Sequence, residues 1–329
     1  MNIATIGTNW ITEKFIEAAA AVHDCNITAV YSRNLDRAEE LAGKYSIVKA
    51  YDDFQEMLVN PEIDAVYIAS PNRFHAVQAK AAMDQGKHVM CEKPLCSNEI
   101  EAERLIEVSI QNEVVLMEAI KTLYLPSFQT MKEWLPKVGK VRRVVSHYCQ
   151  YSSRYDAFLE GNVLNAFDPY YSNGATMDLG VYCLYPLIHC FGEPQSLDAA
   201  GTMLSSGVDG QAGALLKYED FEAIIYYSKI AHSETPSEIQ GEKGTLYIDK
   251  INSPQKLTFH PVKGNNSETT FIELEKPEMS YEIEAFIRLT NESGPADKTL
   301  TESRLVLRQT DRIRADLGLK FDADRAPTI

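Results

Sequence analysis

The sequence predicts an α/β chain in two parts, a doubly wound parallel sheet followed by an α+β part with a large, mainly antiparallel sheet. Three observations predict it. Over residues 1–120 short apolar strands alternate with amphipathic helices, the pattern of a parallel sheet covered on both faces. From Val141 the pattern changes to successive strands joined by tight turns, as at Glu219-Asp220 and Glu242-Lys243-Gly244. The chain has 329 residues, 45% hydrophobic and 24% charged, which suits about two ordinary domains, 1–120 and 121–329.

Composition narrows the partners. A net charge of −15 argues against nucleic acid and anionic membrane as partners, so any anionic ligand must be held by local cations and backbone amides. No apolar run reaches the roughly 18 residues of a membrane span. The chain opens on an apolar strand with no charged region before it, so no signal peptide is expected. Six scattered cysteines without a Cys-x-x-Cys pair fit a reduced, cytoplasmic protein with no zinc site.

In the first part, strands are expected at residues 3–6, 27–31, 65–69, 88–91 and 114–117. Ile11, Phe15, Ala18, Ala19 and Val22 recur at helical spacing, and further helices are expected at 36–45, 75–85 and 97–112. Right-handed crossovers then make the Rossmann arrangement the expected form. Its first strand-to-helix turn is Gly7-Thr8-Asn9-Trp10-Ile11-Thr12, where dinucleotide folds keep Gly-x-Gly-x-x-Gly. Only Gly7 matches; Asn9 and Thr12 stand at the other two glycines. Asparagine tolerates a left-handed backbone, so the turn is expected to survive, with the Asn9 side chain limiting how closely a pyrophosphate approaches. The helix N-terminus behind it is expected to remain an anion site.

The second strand ends in Ser32-Arg33, with Arg37 one turn on, where an NAD-selective fold carries an acidic residue for the ribose hydroxyl. Arginine suits a 2′-phosphate, which points to NADP, with NAD possible; the alternative is a solvated arginine opening a helix. The strand at 65–69 ends in Ser70-Pro71-Asn72, which faces the same edge of the sheet, and Asn72 is expected to be able to cap the next helix. His75, read from its own position, is a helix-surface residue.

A helix ends at Gly86, a buried strand runs through 88–91, and the charged pair Glu92-Lys93 follows, set against Pro94. Charges directly after a buried strand need a partner or a task. Lys93 is expected at the C-terminal edge of the sheet, where open α/β sheets place ligands, with its backbone held extended by Pro94. A solvated Glu-Lys pair on a surface loop is the alternative.

In the second part, strands are expected at 141–151, 214–218, 223–228, 237–240, 244–248 and 257–260, and a closing helix at 302–317. A helix over 175–190, stopped by Gly192, places Asp178 and Tyr182 four residues apart on one face, with His189 roughly on it too. The alternative is a core tyrosine beside an exposed aspartate. The loop 151–156 is rich in hydrogen-bonding groups and reads as a substrate-lining segment or a solvated turn.

Four segments together carry a resemblance: Ala69-Ser70-Pro71-Asn72-x-x-His75, Gly86-Lys87-His88-Val89-Met90-Cys91-Glu92-Lys93-Pro94, Met117-Glu118-Ala119 and Gly174-Ala175-Thr176-Met177-Asp178-Leu179-Gly180-Val181-Tyr182. The sequence resembles the Gfo/Idh/MocA oxidoreductases, and within them the dimeric dihydrodiol dehydrogenase and NADP-xylose dehydrogenase branch. The resemblance implies hydride transfer between a nicotinamide cofactor and a hydroxyl or carbonyl carbon of a sugar, polyol or related small molecule. It implies Lys93, Asp178 and Tyr182 as catalytic residues. The cofactor would be held by Gly7, Thr8, Asn9, Trp10, Ile11, Ser32, Arg33, Arg37, Ser70, Pro71, Asn72, His75, Glu92 and Lys93. It also implies a homodimer, or a dimer of dimers, formed through the open face of the second sheet. Two departures stand out: the glycine fingerprint is degraded, and the arginine expected after Met117-Glu118-Ala119 falls on Leu123. Two rivals remain, a non-catalytic NADP(H)-binding sensor and an enzyme that uses transient oxidation to drive hydrolysis or elimination.

Overall fold

Six parallel strands form the first sheet, in the order β3-β2-β1-β4-β5-β6, the doubly wound order that puts a switch point between β1 and β4. The structure, a computed structural model, describes residues 1–264, 266–292, 298–325 and 329. In chain order the first elements are β1 (Asn2–Ile6), α1 (Trp10–Ala19), β2 (Asn26–Tyr31), α2 (Leu35–Lys44), β3 (Lys49–Tyr51), α3 (Phe54–Val59), β4 (Ala65–Ile68), α4 (His75–Asp84), β5 (His88–Glu92), α5 (Glu99–Gln111) and β6 (Leu116–Ala119). β4 is buried at every position, as a central parallel strand requires. α1 buries Phe15, Ala18 and Ala19, and Phe15 stacks on Tyr67 of β4 at 3.5 Å.

Two differences from the sequence expectation have simple causes. β3 and α3 were not anticipated, because three residues of strand and six of helix are too short for a periodic signal. β6 starts two residues later than 114, because the chain after α5 needs Glu113 at a φ of 54° to turn back toward the sheet.

The second sheet has eight strands in the order β14-β13-β12-β11-β7-β10-β9-β8. After α6 (Pro126–Val138) come β7 (Val141–Cys149), the short α7 (Tyr155–Leu159), a π-helical turn (Thr176–Gly180) and α8 (Val181–Phe191). The remaining strands are β8 (Ser196–Met203), β9 (Asp209–Lys217), β10 (Glu222–Ser228), β11 (Ser237–Gly241), β12 (Gly244–Ile248), β13 (Lys256–Pro261) and β14 (Glu268–Phe271). All its pairings are antiparallel except β7 with β10, which lie parallel with Ile225 opposite Ser146. Strand alternation sends Val144, Ala223, Ile225, Tyr227, Leu216 and Leu246 into the core. On the other face Ile224 pairs with Leu215, which is 50% exposed. β8 and β14 were missed because both are edge strands of mainly exposed positions, without a clean alternation.

Two helices close the chain, α9 (Glu278–Glu292) and α10 (Lys298–Leu317). By contacts the chain forms two compact units, Met1–Lys121 with the described residues of 274–303 and Ile329, and Thr122–Glu273 with residues 304–325. The first unit therefore takes back α9, which a contiguous division at 120/121 assigns to the second part. α9 buries Ile283 and Phe286, and Ser280 donates to the Ala18 carbonyl of α1 at 2.9 Å.

Candidate functional site

In the first unit the chemistry-bearing residues gather at the C-terminal ends of the strands. Gly7 follows β1 with a φ of 111°, and a Cβ there would stand 2.9 Å from the Ala69 carbonyl oxygen, so only glycine fits. Asn9 is extended rather than left-handed, with φ −92°. Its Oδ1 accepts from Ile11 N (2.9 Å) and Thr12 N (3.3 Å), and its Nδ2 donates to Ala69 O (2.7 Å). This corrects the expectation of a left-handed residue: Asn9 works as a helix cap, not as a glycine substitute, and its side chain accepts from two amides of the helix N-terminus. Thr8 and Ile11 are half-buried and Trp10 is 58% exposed. Thr12 is fully buried against the sheet.

At the end of β2, Ser32 Oγ accepts from Asn34 N, and the Arg33 guanidinium lies 5.7 Å from the Phe74 ring. Arg33 and Arg37 are exposed, and Asn34 caps α2 at Arg37 N. After β4, Ser70 Oγ donates to Gln78 Oε1 at 2.5 Å, and Pro71 and Asn72 are half-buried; Asn72 does not cap α4, which starts after Phe74 with no side-chain cap, but opens a short 3₁₀ turn before it. His75 is not a helix-surface residue: it is 1% exposed. Its ring spans two strand ends, Nε2 lying 2.7 Å from Ser70 O and Nδ1 2.9 Å from Pro94 O. Burial lowers its basicity, and the nearby Lys93 charge adds to that.

The loop that carries Lys93 is held from several sides. Gly86 takes a φ of 71° past α4, and the next side chain, Lys87, is buried with its ammonium donating to Asn60 O and Ile63 O. Glu92 Oε1 accepts from the Tyr67 hydroxyl at 2.5 Å. The Lys93–Pro94 bond is cis. His75 meets the Pro94 carbonyl, and the buried Glu118 accepts from Leu95 N at 3.0 Å. The Asn-x-x-His and Met-Glu-Ala segments thus brace the same loop.

Beneath it is a buried acid that sequence reasoning missed. Glu282 of α9 is 1% exposed, and its Oε2 has no hydrogen-bond partner among the described residues. Burial pushes its carboxyl well above the usual range, the Glu92 charge adds to this, and Lys121 opposes it. Glu92 is raised too, by burial first, against the pull of Tyr67 and Lys93. Lys121 is itself ion-paired to Glu278. The only hint in the sequence was a glutamate on the apolar stripe of a C-terminal helix.

In the second unit, Asp178 and Tyr182 do not sit on one uninterrupted α-helix. Thr176–Gly180 is a π turn and α8 begins at Val181, so the α-helical spacing argument for a shared face does not apply. Such turns are rare and recur at functional sites. This one is built by its neighbours. Asp209 Oδ2 accepts from both Thr176 N and Thr176 Oγ1 at 2.7 Å, and Tyr227 Oη lies 2.8 Å from Thr176 Oγ1. Burial raises the Asp209 carboxyl, and those Thr176 donors and Lys229 oppose it. A Cβ at Gly174 would collide with Asp209 Oδ1, and one at Gly180 would stand 2.9 Å from the Tyr227 ring. Both glycines of the motif are there to let β9 and β10 approach closely.

Asp178 pairs with Lys229 Nζ at 2.8 Å while its side chain keeps 36% exposure. Tyr182 is half-buried with its ring edge-on to Tyr148, centroids 5.6 Å apart. His189 turns elsewhere, 3.1 Å from Lys132 Nζ and edge-on to Phe128. Tyr151 of the loop at 151–156 donates to Asp156 Oδ1 at 2.6 Å.

A doubly wound sheet whose strand ends present Gly7, Arg33 and Lys93, followed by a mainly antiparallel sheet, defines a nicotinamide-dependent oxidoreductase. The chain belongs to the Gfo/Idh/MocA family: residues 1–120 match the model of the oxidoreductase family with an NAD-binding Rossmann fold, and residues 128–247 match the family's C-terminal domain. It is 46% identical over 332 aligned positions to scyllo-inositol 2-dehydrogenase (NADP(+)) IolU of Bacillus subtilis (strain 168), covering 99% of this chain and 100% of that one. It is 28% identical over 313 positions to trans-1,2-dihydrobenzene-1,2-diol dehydrogenase of Mus musculus, covering 91% of each. Among solved structures, a levoglucosan dehydrogenase in complex with NADH and levoglucosan shares the fold at a TM-score of 0.85, with 18% identity and 97% of both chains covered. The 3-ketoreductase KijD10 of Actinomadura kijaniata, with NADP and TDP-benzene, does so at 0.85 and 22% identity, covering 96% of this chain and 98% of that one.

Proposed function

We propose that this chain is an NADP(H)-dependent dehydrogenase/reductase of a cyclic polyol or sugar-like substrate. The observation that carries the reading is the bracing of the Lys93 loop by His75 and Glu118, which presents an ammonium at the C-terminal edge of the parallel sheet. The residues present fit the cofactor. The Gly7 turn allows close backbone approach, Ser32 offers a hydroxyl, and Arg33 is an exposed cation where NAD-selective folds carry an acid. Ser70–Asn72, His75 and Glu92 would shape the nicotinamide end. Bound there, the cofactor supplies the hydride chemistry.

The chain's own residues position the substrate and move a proton. Lys93 donates to the substrate oxygen. Tyr182 exchanges the proton of that oxygen, and Asp178 accepts from a substrate hydroxyl to orient it. The substrate class rests on the relatives' names and on the part-exposed Asp178 carboxylate, an acceptor suited to a ligand dense in hydroxyls. The open face of the second sheet, with Leu215 and Ile224 on it, supports a homodimer or a dimer of dimers. A cytoplasmic location fits the free cysteines, and among the described residues no helix is long and apolar enough to cross a membrane.

A panel of inositol stereoisomers, aldoses and dicarbonyls, assayed with NADP⁺ or NADPH by nicotinamide absorbance, tests the reading. Turnover of at least one polyol or sugar is expected. Tight NADPH binding with no turnover across the panel would favour the sensor. Substrate consumption without net change in NADPH would favour oxidation-driven hydrolysis or elimination.

A further inference from the structure

We infer that Lys229 is a positioning residue whose buried ammonium holds the Asp178 carboxylate in the π turn and so sets the orientation in which Asp178 meets the substrate. The inference deepens the reading of Asp178 given above and rests on it.

Lys229 directly follows β10, and it is 2% exposed. Lysine is almost never buried to this degree without a partner. Its main chain is pinned on both sides, Lys229 N donating to Gly210 O at 2.9 Å and Ser152 N donating to Lys229 O at 2.8 Å. The side chain is equally committed. Nζ is paired with Asp178 Oδ2 at 2.8 Å, donates to Ala166 O at 3.1 Å and lies 5.1 Å from the Phe167 ring centroid. An ammonium has three donors and no acceptor, and two of the donors are committed to Asp178 and Ala166 O, which fixes the direction from which Asp178 is held. Asp178 sits on the π turn, which is wider than an α-helical one.

The π turn is secured at its start, where Asp209 and Tyr227 hold Thr176. That attachment ends at Thr176, whereas Lys229 meets the Asp178 carboxyl directly. Asp178 still keeps 36% side-chain exposure, so it can meet a ligand while Lys229 is shut away from one. The division of labour is therefore geometric: one group touches substrate, the other aims it. A buried charge pair is weak evidence for stability, since desolvation offsets much of the attraction, but it specifies orientation well.

The test is a double-mutant cycle between Lys229→Met and Asp178→Asn, read by kcat and KM on the preferred substrate, with NADPH affinity and thermal melting measured alongside. Lys229→Met is expected to lower kcat/KM at least about tenfold, split between kcat and KM as in Asp178→Asn, with NADPH affinity kept. The double variant is expected to be no worse than the poorer single one. A packing role predicts instead that the two losses multiply. Multiplied losses, or near-normal kcat/KM in Lys229→Met beside a defective Asp178→Asn, would overturn the inference and leave the role of Asp178 standing. Near-normal Asp178→Asn would overturn that role itself, and the inference with it. If Lys229→Met does not fold, Lys229→Gln, which keeps a donor for Ala166 O, is judged by the same outcomes.

Discussion

Asn9 ties the end of β1 to the end of β4: its Nδ2 donates to Ala69 O at 2.7 Å, while its Oδ1 caps α1. The bond crosses the point where the strand order reverses, which is where doubly wound sheets bind ligands. A glycine at position 9 would leave this point to backbone flexibility, whereas asparagine fixes it. Loss of an asparagine cap costs about 1 kcal/mol, and loss of a half-buried hydrogen bond about 1 kcal/mol more. Asn9→Ala is therefore expected to lower unfolding stability by about 2 kcal/mol. Urea unfolding followed by circular dichroism reads this, and an unchanged midpoint would show that the turn does not depend on Asn9.

Arg33 should decide between the two nicotinamide cofactors. It is exposed, and its contact is with the Phe74 ring, so the guanidinium is available to a 2′-phosphate. A charge-assisted hydrogen bond is worth about 1.5–3 kcal/mol, or roughly tenfold to a hundredfold in affinity. Arg33→Asp should weaken NADPH by that factor and leave NADH within about twofold. Fluorescence titration of both cofactors measures it. Equal losses for the two would assign Arg33 to the adenine or to the fold.

Glu282 should make stability fall as pH rises. Its folded carboxyl is raised well above the ordinary 4.5 by burial, so between 4.5 and the raised value the folded state holds a proton that the unfolded chain has released. In that window stability falls with pH, and above it the full penalty persists. Below 4.5 both states are protonated and the penalty vanishes. Glu282→Gln removes the ionisation. Its melting temperature should match the parent at acid pH and exceed it increasingly toward neutrality. Glu92 is raised in the same direction and remains, so the variant flattens the dependence only in part. A variant that melts lower than the parent at neutral pH would mean the carboxylate is satisfied there.

The first sheet was legible because β1, β4 and β5 are short, apolar and separated by helices of standard length. Lys93 was legible because charge after a buried strand stands out. Other features left no local trace. The amphipathic pattern of α9 declares a buried face but not which core receives it. A π turn inserts its extra residue without changing the apolar pattern over 175–190, so the helix was foreseen and its widened first turn was not. Lys229 left no signal in the sequence, because burial of a lysine depends on Ala166 and Asp178, both distant in sequence. His75 misled for the same reason, since its partners Ser70 and Pro94 lie on two different strand ends.

The last prediction concerns the proton. Tyr182 is half-buried and edge-on to Tyr148 at the start of α8, the only tyrosine of the motif next to the Asp178 turn. If it exchanges the proton of the reacting oxygen, Tyr182→Phe removes one oxygen and little packing. NADPH affinity should hold, while turnover should fall at least about tenfold, below the roughly 10²–10⁴-fold that positioned acid/base catalysis usually supplies. Lys93→Met should be worse, since in the proposed reading it removes the donor to that oxygen. Two groups serving one oxygen are not independent, so the double variant should cost less than the product of the single losses. If His189 carried the proton instead, Tyr182→Phe would turn over almost normally with an unchanged pH profile. His189 is turned toward Lys132 and Phe128, which argues against that assignment. Steady-state kinetics of the three variants across pH, with His189→Asn as a fourth, separates the two: a pH profile altered by Tyr182→Phe and left intact by His189→Asn assigns the proton to the tyrosine.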